Sequence, residues 1–194
     1  MAGHTHVVAI GASLGGLAAC RRLLWAMPPD FPAPLLLAQH RLAEAEPLLA
    51  ELLRREGGLR VVEPDDKAPL EAGTVYVAPS NYHMMVERSG DRIALSTEGA
   101  VRYARPSIDV LFESVAVSHA HRAIGVVLTG ASDDGARGAQ AIKRGGGRVI
   151  VQTPAQAESA VAPQAALRRI EPDAVIDVEE IAGVLCRWLL PRPA

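Results

Sequence analysis

The chain has 194 residues, 49% of them hydrophobic, which is enough to bury the core of a single globular unit. Its 20 basic and 22 acidic side chains leave a formal net charge of −2, which gives no broad electrostatic reason to expect binding to nucleic acid or an anionic membrane surface. The two cysteines, Cys20 and Cys186, form no Cys-x-x-Cys unit, which argues against a disulfide scaffold or a structural zinc site. Because the sequence has neither a signal-peptide pattern nor an apolar run near the roughly 20 residues of a membrane span, we expect a cytoplasmic protein that inserts into no membrane.

In the first third of the chain, apolar runs alternate with helical patterns, which is typical of buried parallel strands joined by crossover helices. The predicted elements are a strand at 7–10, a helix at 16–26, a strand at 35–38, a helix at 46–55 and a strand at 61–62. The second helix ends at a Gly-Gly pair, a common C-terminal signal. Its predicted apolar face carries Leu48, Leu49, Leu52 and Leu53.

Between Pro64 and Leu95 the pattern changes to short strands separated by turns. Residues 74–78 form a predicted strand that ends at Pro79. Residues 84–87 and 93–95 are two further strands, and the turn between them predicts that they pair as an antiparallel hairpin.

The second half begins with a helix predicted from Pro106, since proline is favoured in a first helical turn. A buried stripe follows at helical spacing, formed by Ile108, Leu111, Phe112 and Val115. The remaining predicted elements are a strand at 124–129, a helix at 139–144, a strand at 149–151, a helix at 163–168, a strand at 174–176 and a helix at 181–189. The strand, helix and strand from 124 to 151 form a βαβ unit, so the predicted fold class is α/β with a mainly parallel sheet.

A glycine-rich turn, Gly-Ala-Ser-Leu-Gly-Gly at 11–16, directly follows the first strand. Such a turn can hold the pyrophosphate of a dinucleotide or present a serine nucleophile. Dinucleotide binding requires a middle glycine and an acidic residue at the end of the second strand. Here Ser13 occupies the glycine position and the second strand ends in Gln39 and His40. The turn therefore favours a nucleophile, while a serine that only caps the helix is the structural alternative.

His40 is the predicted general base for Ser13, because both residues lie at carboxyl ends of parallel strands, where the sites of α/β proteins form. A carboxylate at another strand end could orient the imidazole. Asp133 and Asp134 both follow a predicted strand, and their spacing does not decide between them. Either could instead cap the next helix. The order Ser, His, Asp disfavours the α/β-hydrolases, in which the order is Ser, Asp, His.

Four blocks of sequence point to a known family. They are residues 10–16, Gln39-His40, residues 105–116 (Arg-Pro-Ser-Ile-Asp-Val-Leu-Phe-Glu-Ser-Val-Ala) and residues 128–138 (Leu-Thr-Gly-Ala-Ser-Asp-Asp-Gly-Ala-Arg-Gly). Together they resemble the catalytic domain of the CheB-type protein-glutamate methylesterases of bacterial chemotaxis. Weaker agreement at 73–79, His83, Gln152 and Pro163 extends the likeness to nearly the whole chain.

The resemblance implies a doubly wound, mainly parallel α/β sheet flanked by helices, with an appended antiparallel hairpin. It implies hydrolysis of glutamate methyl esters on the cytoplasmic domain of methylated chemoreceptors, with deamidation of receptor glutamines in some members. Neither a cofactor nor a metal ion is expected. The family's catalytic serine and histidine fall on Ser13 and His40. Its aspartate falls on Asp134, because the family pattern Leu-Thr-Gly-Met-Gly-x-Asp-Gly places the acid directly before the glycine.

The sequence departs from the family pattern around the expected site. Leu14 replaces a threonine, Ala131 a methionine, Ser132 a glycine, Val161-Ala162 a Gly-Met pair, and Arg41-Leu42 the Met-Pro that usually follows the histidine. Two methionines are thus replaced by alanines, which opens space for a different acyl or alcohol group. A changed substrate or a reduced activity is the corresponding expectation. Backbone N–H groups near Leu14 and Ala131 are candidate donors to the oxyanion.

Residues 1–194 are expected to form a single catalytic domain, with no phosphoacceptor receiver domain before Val7. Control would then come from a separate response-regulator partner or be absent. Two alternatives to a receptor methylesterase stay open. One is a CheB-like esterase with a different substrate, and the other is a non-catalytic domain that binds a nucleotide or a signalling partner.

Overall fold

The computed structural model describes residues 6–41, 48–54 and 58–190, and the sheet within them has seven strands. These strands are β1 (Val7–Ala12), β2 (Leu35–Gln39), β3 (Arg60–Val62), β4 (Thr74–Val77), β7 (Ala123–Val127), β8 (Arg148–Gln152) and β9 (Ala174–Ile176). They lie in the order β3-β4-β2-β1-β7-β8-β9, each parallel to its neighbours. On one side of β1 the chain adds β2, then the edge strand β3, then β4 between them, and on the other side it adds β7, β8 and β9 in turn. The strand order therefore reverses between β1 and β7, the point at which open α/β sheets place their sites.

Helices cover both faces of the sheet. They are α1 (Gly16–Trp25), α2 (Leu49–Arg54), α3 (Ile108–His119), α4 (Ala136–Arg144), α5 (Val161–Leu167) and α6 (Val178–Leu189). Helices α1, α2 and α6 pack on one face, where Val8 and Ile10 of the central strand point. Helices α3, α4 and α5 pack on the other face, against Val7 and Ala9. Burial on both faces explains the continuous apolar runs in the strands.

The two remaining strands, β5 (His83–Val86) and β6 (Ile93–Ser96), form a separate antiparallel hairpin. Met84, Val86 and Ile93 bury this hairpin in the same cluster as α3. The predicted fold class is confirmed, including the appended hairpin. No helix in the described part of the chain is long and apolar enough to cross a membrane.

The helix predicted at 46–55 is less buried than its leucine pattern suggested. In the structure α2 covers Leu49–Arg54, while 46, 47 and 55 lie outside the described residues. Leu53 is buried, but Leu48 and Leu52 are 48% and 43% exposed. Only part of the predicted leucine face is therefore buried, because a two-turn helix at the sheet edge buries only one narrow stripe.

The helix predicted from Pro106 begins two residues later. Ser107 is its N-cap, with an extended backbone at φ −100° and ψ 137°, and its hydroxyl accepts a hydrogen bond from the N–H of Val110 at 3.4 Å. The proline therefore precedes the cap instead of occupying the first turn of α3.

Helices α3 and α4 are joined by two buried aspartates, each of which caps the other helix. Asp134, just before α4, accepts hydrogen bonds from the N–H groups of Ile108 at 2.7 Å and Asp109 at 3.0 Å, in the first turn of α3. Asp109 Oδ1 accepts hydrogen bonds from the N–H groups of Gly135 at 2.9 Å and Gly138 at 2.8 Å, at the start of α4. Each carboxylate lies at the positive end of the neighbouring helix. This exchange fixes the position of Asp134.

We predict that Asp109→Ala lowers the free energy of unfolding by about 2–4 kcal/mol, because two buried N–H groups of α4 lose their acceptor. Urea denaturation followed by circular dichroism measures this loss. Glu113→Ala is the matched control, since Glu113 lies on the same helix and pairs with Arg137 near the surface. Its expected cost is below about 1 kcal/mol. Equal losses in the two variants would contradict the capping role.

Candidate active site

Ser13 and His40 are brought together by the pairing of two neighbouring strands. Ala12 of β1 pairs with Gln39 of β2, so Ser13 and His40 are the next residues along adjacent strands. The N–H of His40 donates to the carbonyl of Ala12 at 3.0 Å, and the N–H of Ser13 donates to the carbonyl of Thr129, after β7, at 3.0 Å. Parallel strands lie about 4.8 Å apart, so the two side chains start from neighbouring positions at the carboxyl edge of the sheet.

Ser13 does not act as a helix cap. The N-cap of α1 is Gly15, in a left-handed conformation at φ 76°, and no side chain caps this helix end. Gly130 lies directly against Ser13, since a Cβ atom on Gly130 would stand 2.9 Å from Ser13 Cβ and 3.2 Å from Ala162 Cβ. A larger residue at 130 would displace Ser13, so glycine is required here. The capping alternative for Ser13 is therefore excluded by the geometry of the turn.

Asp134 is the carboxylate that contacts His40. His40 Nε2 lies 2.8 Å from Asp134 Oδ2, and the side chains are 16% and 0% exposed, respectively. Asp133 instead faces outward and binds the Arg102 guanidinium through both of its oxygens, at 2.7 and 2.6 Å. The structure thus separates the two acids that sequence spacing could not distinguish.

The surroundings of Asp134 keep its carboxylate ionised. Burial by itself raises the pKa of Asp134, but the hydrogen bonds from His40, from the backbone N–H of Asp109 and from that of Ile108 outweigh it and lower this pKa below its ordinary value. The Ser107 hydroxyl donates a further hydrogen bond to Oδ1 at 2.9 Å. An ionised carboxylate only accepts hydrogen bonds, so the His40 proton resides on Nε2. In the neutral form of the ring, Nδ1 is then the nitrogen that can accept a proton.

Ser13 and His40 are adjacent without being hydrogen-bonded to each other. Among the residues that the structure describes, the His40 ring contacts Asp134, and no hydrogen bond joins it to Ser13 Oγ. The sequence predicted both contacts of a triad, and the structure contains the contact between histidine and aspartate. Hydrogen bonds between nucleophile and base often tighten only in a substrate complex.

Gln39 holds the backbone of both Ser13 and His40, a role that the sequence analysis missed. Its Nε2 donates to the carbonyl of Ser13 at 2.8 Å and to that of His40 at 3.1 Å. Its Oε1 lies against Gly16, where a Cβ atom would overlap it. The last glycine of the turn, Gly16, thus makes room for the Gln39 amide. Its place at the end of the second strand, directly before His40, is the only hint of this role in the sequence.

A groove of about 580 Å³ opens beside His40. Polar side chains form much of its lining, among them Arg41, Asn81, Arg102, Arg105 and Ser132. Tyr103, at the same groove, is fully exposed on a tight turn. Within the described ranges, no group of three His, Cys, Asp or Glu side chains is arranged to hold a metal ion.

Comparison with known proteins identifies the family. The model of the CheB methylesterase family matches residues 8–185. The chain belongs to the CheB methylesterase family. A Leptospira interrogans protein, whose name assigns it to the protein-glutamate methylesterases/protein-glutamine glutaminases, is 37% identical over 180 residues, which cover 93% of either chain. The protein-glutamate methylesterase FrzG of Myxococcus xanthus is 39% identical over 183 residues, which cover 94% of this chain and 54% of that protein.

The crystal structure of the Thermotoga maritima CheB methylesterase catalytic domain has the same fold. It aligns with a TM-score of 0.91 at 27% identity, covering 95% of this chain and 98% of that chain. The predicted CheB family and the predicted class of enzyme, a carboxylic ester hydrolase, are confirmed. That residues 1–194 form a single catalytic domain without a receiver domain stays a prediction.

The departures from the CheB pattern surround Ser13 and His40. Leu14 is 53% exposed beside Ser13, and Ala162 lies against Gly130, as Ser13 does. Ser132 accepts a hydrogen bond from the N–H of Asp134 at 3.1 Å. Arg41, next to His40, lies in the groove. These side chains therefore shape the space around Ser13 and His40 while leaving the contact between His40 and Asp134 intact.

The lowered pKa of Asp134 gives a testable pH dependence of stability. A carboxylate with a lowered folded-state pKa stabilises the fold fully above its unfolded-state pKa, about 4, and loses this contribution as the pH falls through the folded-state value. We predict that the wild type unfolds with a higher free energy than Asp134→Asn at pH 5, and that the difference shrinks as the pH falls below about 4. Urea titrations at pH 5, 4 and 3 measure it. A difference that grows on acidification would contradict the assignment.

The contact between Gln39 and Gly16 predicts a coupling between two substitutions. Gly16→Ala and Gln39→Ala should each destabilise the fold by about 1–3 kcal/mol, but the double variant should lose less than the sum, because removing the amide relieves the overlap at residue 16. Denaturation of all four proteins measures the coupling. Gly138→Ala is the control partner, since its Cβ would overlap Phe112 on α3, and it should combine additively with Gln39→Ala.

Proposed function

We propose that this protein hydrolyses methyl esters of glutamate side chains on chemoreceptors, with Ser13 as nucleophile, His40 as general base and Asp134 as the residue that orients His40. The observation that carries the proposal is the hydrogen bond between His40 and the buried, ionised Asp134. His40 itself lies beside Ser13, because the two residues follow neighbouring paired strands. Relatives named as protein-glutamate methylesterases support the substrate. The Leptospira interrogans relative is also named as a protein-glutamine glutaminase, which supports deamidation as a second reaction of the same site.

In the proposed reaction, His40 Nδ1 accepts the proton of Ser13 Oγ as that oxygen attacks the ester carbonyl. The tetrahedral intermediate collapses, and the imidazolium donates the proton to the departing methanol. Water then attacks the acyl-enzyme in the same manner and releases the free glutamate carboxylate. Asp134 remains ionised throughout and stabilises the imidazolium. Since Nε2 contacts Asp134, the ring has the reverse orientation of the chymotrypsin-type triad, in which Nδ1 faces the carboxylate.

The oxyanion of the intermediate requires fixed hydrogen-bond donors. In the described part of the chain, the N–H groups of Leu14 and Ala131 donate to no protein acceptor, whereas the N–H of Gly130 is bonded to the carbonyl of Ser159. Leu14 directly follows the nucleophile, and Ala131 directly follows the glycine that packs against it. These two N–H groups are therefore our candidates for the oxyanion hole.

A second candidate function is an esterase of the same mechanism with a different ester as substrate. It is favoured by Leu14, Ala131 and Ala162, which replace a threonine and two methionines of the family pattern around Ser13. Smaller side chains at 131 and 162 would admit a larger acyl or alcohol group. We propose the cytoplasm as location for either substrate. For the receptor methylesterase, a methylated chemoreceptor domain is the main partner and a separate response regulator is a control partner.

We predict that Ser13→Ala and Asp134→Asn lower the rate of methanol release from methylated receptor about 10⁴-fold or more, because each removes one part of a cooperative unit. Gas chromatography of released methanol measures the rate. Asp133→Asn is the control, since this acid contacts Arg102 and not His40, and its rate should stay within about threefold of the wild type.

The outcomes separate the candidate functions. Unchanged methanol release by Ser13→Ala would refute the nucleophile assignment. A wild type that does not hydrolyse methylated receptor but hydrolyses unrelated small esters would favour the second substrate class, provided that Ser13→Ala abolishes this hydrolysis. A wild type without any esterase activity, but stabilised by a nucleotide in thermal unfolding, would favour a binding domain.

A further inference from the structure

The groove beside His40 is lined by three arginines, Arg41, Arg102 and Arg105, and by no acidic side chain. Two of these cations are neutralised by carboxylates at its margins. Arg41 pairs with Glu63 at 2.5 Å, and Arg102 pairs with Asp133 at 2.6 Å. Their charge is therefore largely satisfied within the protein.

Arg105 differs from the other two because its partners are neutral. Its Nε donates to Asn81 Oδ1 at 2.9 Å, a bond that Nη2 also makes, and Nη1 donates to the carbonyls of Thr97 at 2.6 Å and Glu98 at 2.9 Å. Among the described residues no carboxylate forms an ion pair with Arg105. The positive charge at this position is thus not offset by a neighbouring acid.

The hydrogen bonds of Arg105 also fix its geometry. A guanidinium has five N–H donors, and four are used here, which leaves one Nη2 hydrogen without an acceptor in the described part of the protein. The side chain is half-buried and held between the loop before β5 and the segment after β6. A cation immobilised in this way loses little conformational entropy when it binds an anion.

We propose that Arg105 is a specificity-determining residue that binds an acidic side chain flanking the scissile ester. The proposal rests on the proposed function, since it assigns a substrate contact to the same site. Binding of the ester carbonyl at Ser13 would place neighbouring substrate residues in the groove that contains His40 and Arg105. An unmodified glutamate there would meet one uncompensated cation and the remaining Nη2 donor.

The test uses two synthetic peptides that each contain one glutamate γ-methyl ester, flanked on both sides by glutamates in one peptide and by glutamines in the other. With the wild type, KM for the glutamate-flanked peptide should be about threefold to tenfold lower, with similar kcat. Raising the salt concentration should reduce this ratio. In Arg105→Gln the ratio should fall to about one, because KM rises only for the acidic peptide.

The variants distinguish a charge contact from a structural role. Arg105→Lys keeps the charge and should retain part of the preference, whereas a purely structural role predicts that Arg105→Gln impairs both peptides equally. That equal impairment would overturn the proposal, as would a wild type with no preference for the acidic peptide. Failure of the proposed function itself has a different signature, because the wild type would then release methanol from neither peptide.

Discussion

The buried Asp134 carboxylate is the constraint on which the rest of this structure depends. An isolated charge in a protein interior is strongly disfavoured, and Asp134 is tolerated because Ser107, Ile108, Asp109 and His40 together supply four hydrogen bonds to it. Three of these donors belong to the start of α3. The position of that helix is therefore determined by the same carboxylate that contacts His40.

The exchange of caps between α3 and α4 extends this constraint to the helix that follows Asp134. Asp109, itself fully buried, holds the start of α4, and the guanidinium groups of Arg102 and Arg137 approach its second oxygen at 3.4 and 3.6 Å. Arg102 also binds Asp133. Charges on the rim of the groove are thus linked through Asp109 to the core of the site, so the groove and the site are held by one network.

Much of the fold was predictable because its strands are buried on both faces and its helices carry regular apolar stripes. The candidate site was partly predictable, since Ser13 and His40 follow apolar strands, and the family resemblance selected Asp134 over Asp133. Spacing could not make that selection, because the two acids differ only in which partner they reach. The role of Gln39 was also missed, because it depends on a strand register that only the three-dimensional structure supplies. The predicted start of α3 was two residues too early for a similar reason. Ser107 is the N-cap of this helix and donates a hydrogen bond to Asp134, a contact that sequence alone does not reveal.

The double role of Asp134 affects how sequences with this fold can be compared. Asp109 and Asp134 support two helices, so a related chain that had lost its activity would still be under selection to retain both acids. Within the part of the chain that the structure describes, Ser13 Oγ makes no hydrogen bond and the His40 ring makes one, to Asp134. Few structural contacts would therefore be lost if these two side chains were replaced. We therefore expect the aspartate in any related chain that keeps the fold, and the serine and the histidine only in chains that keep the activity.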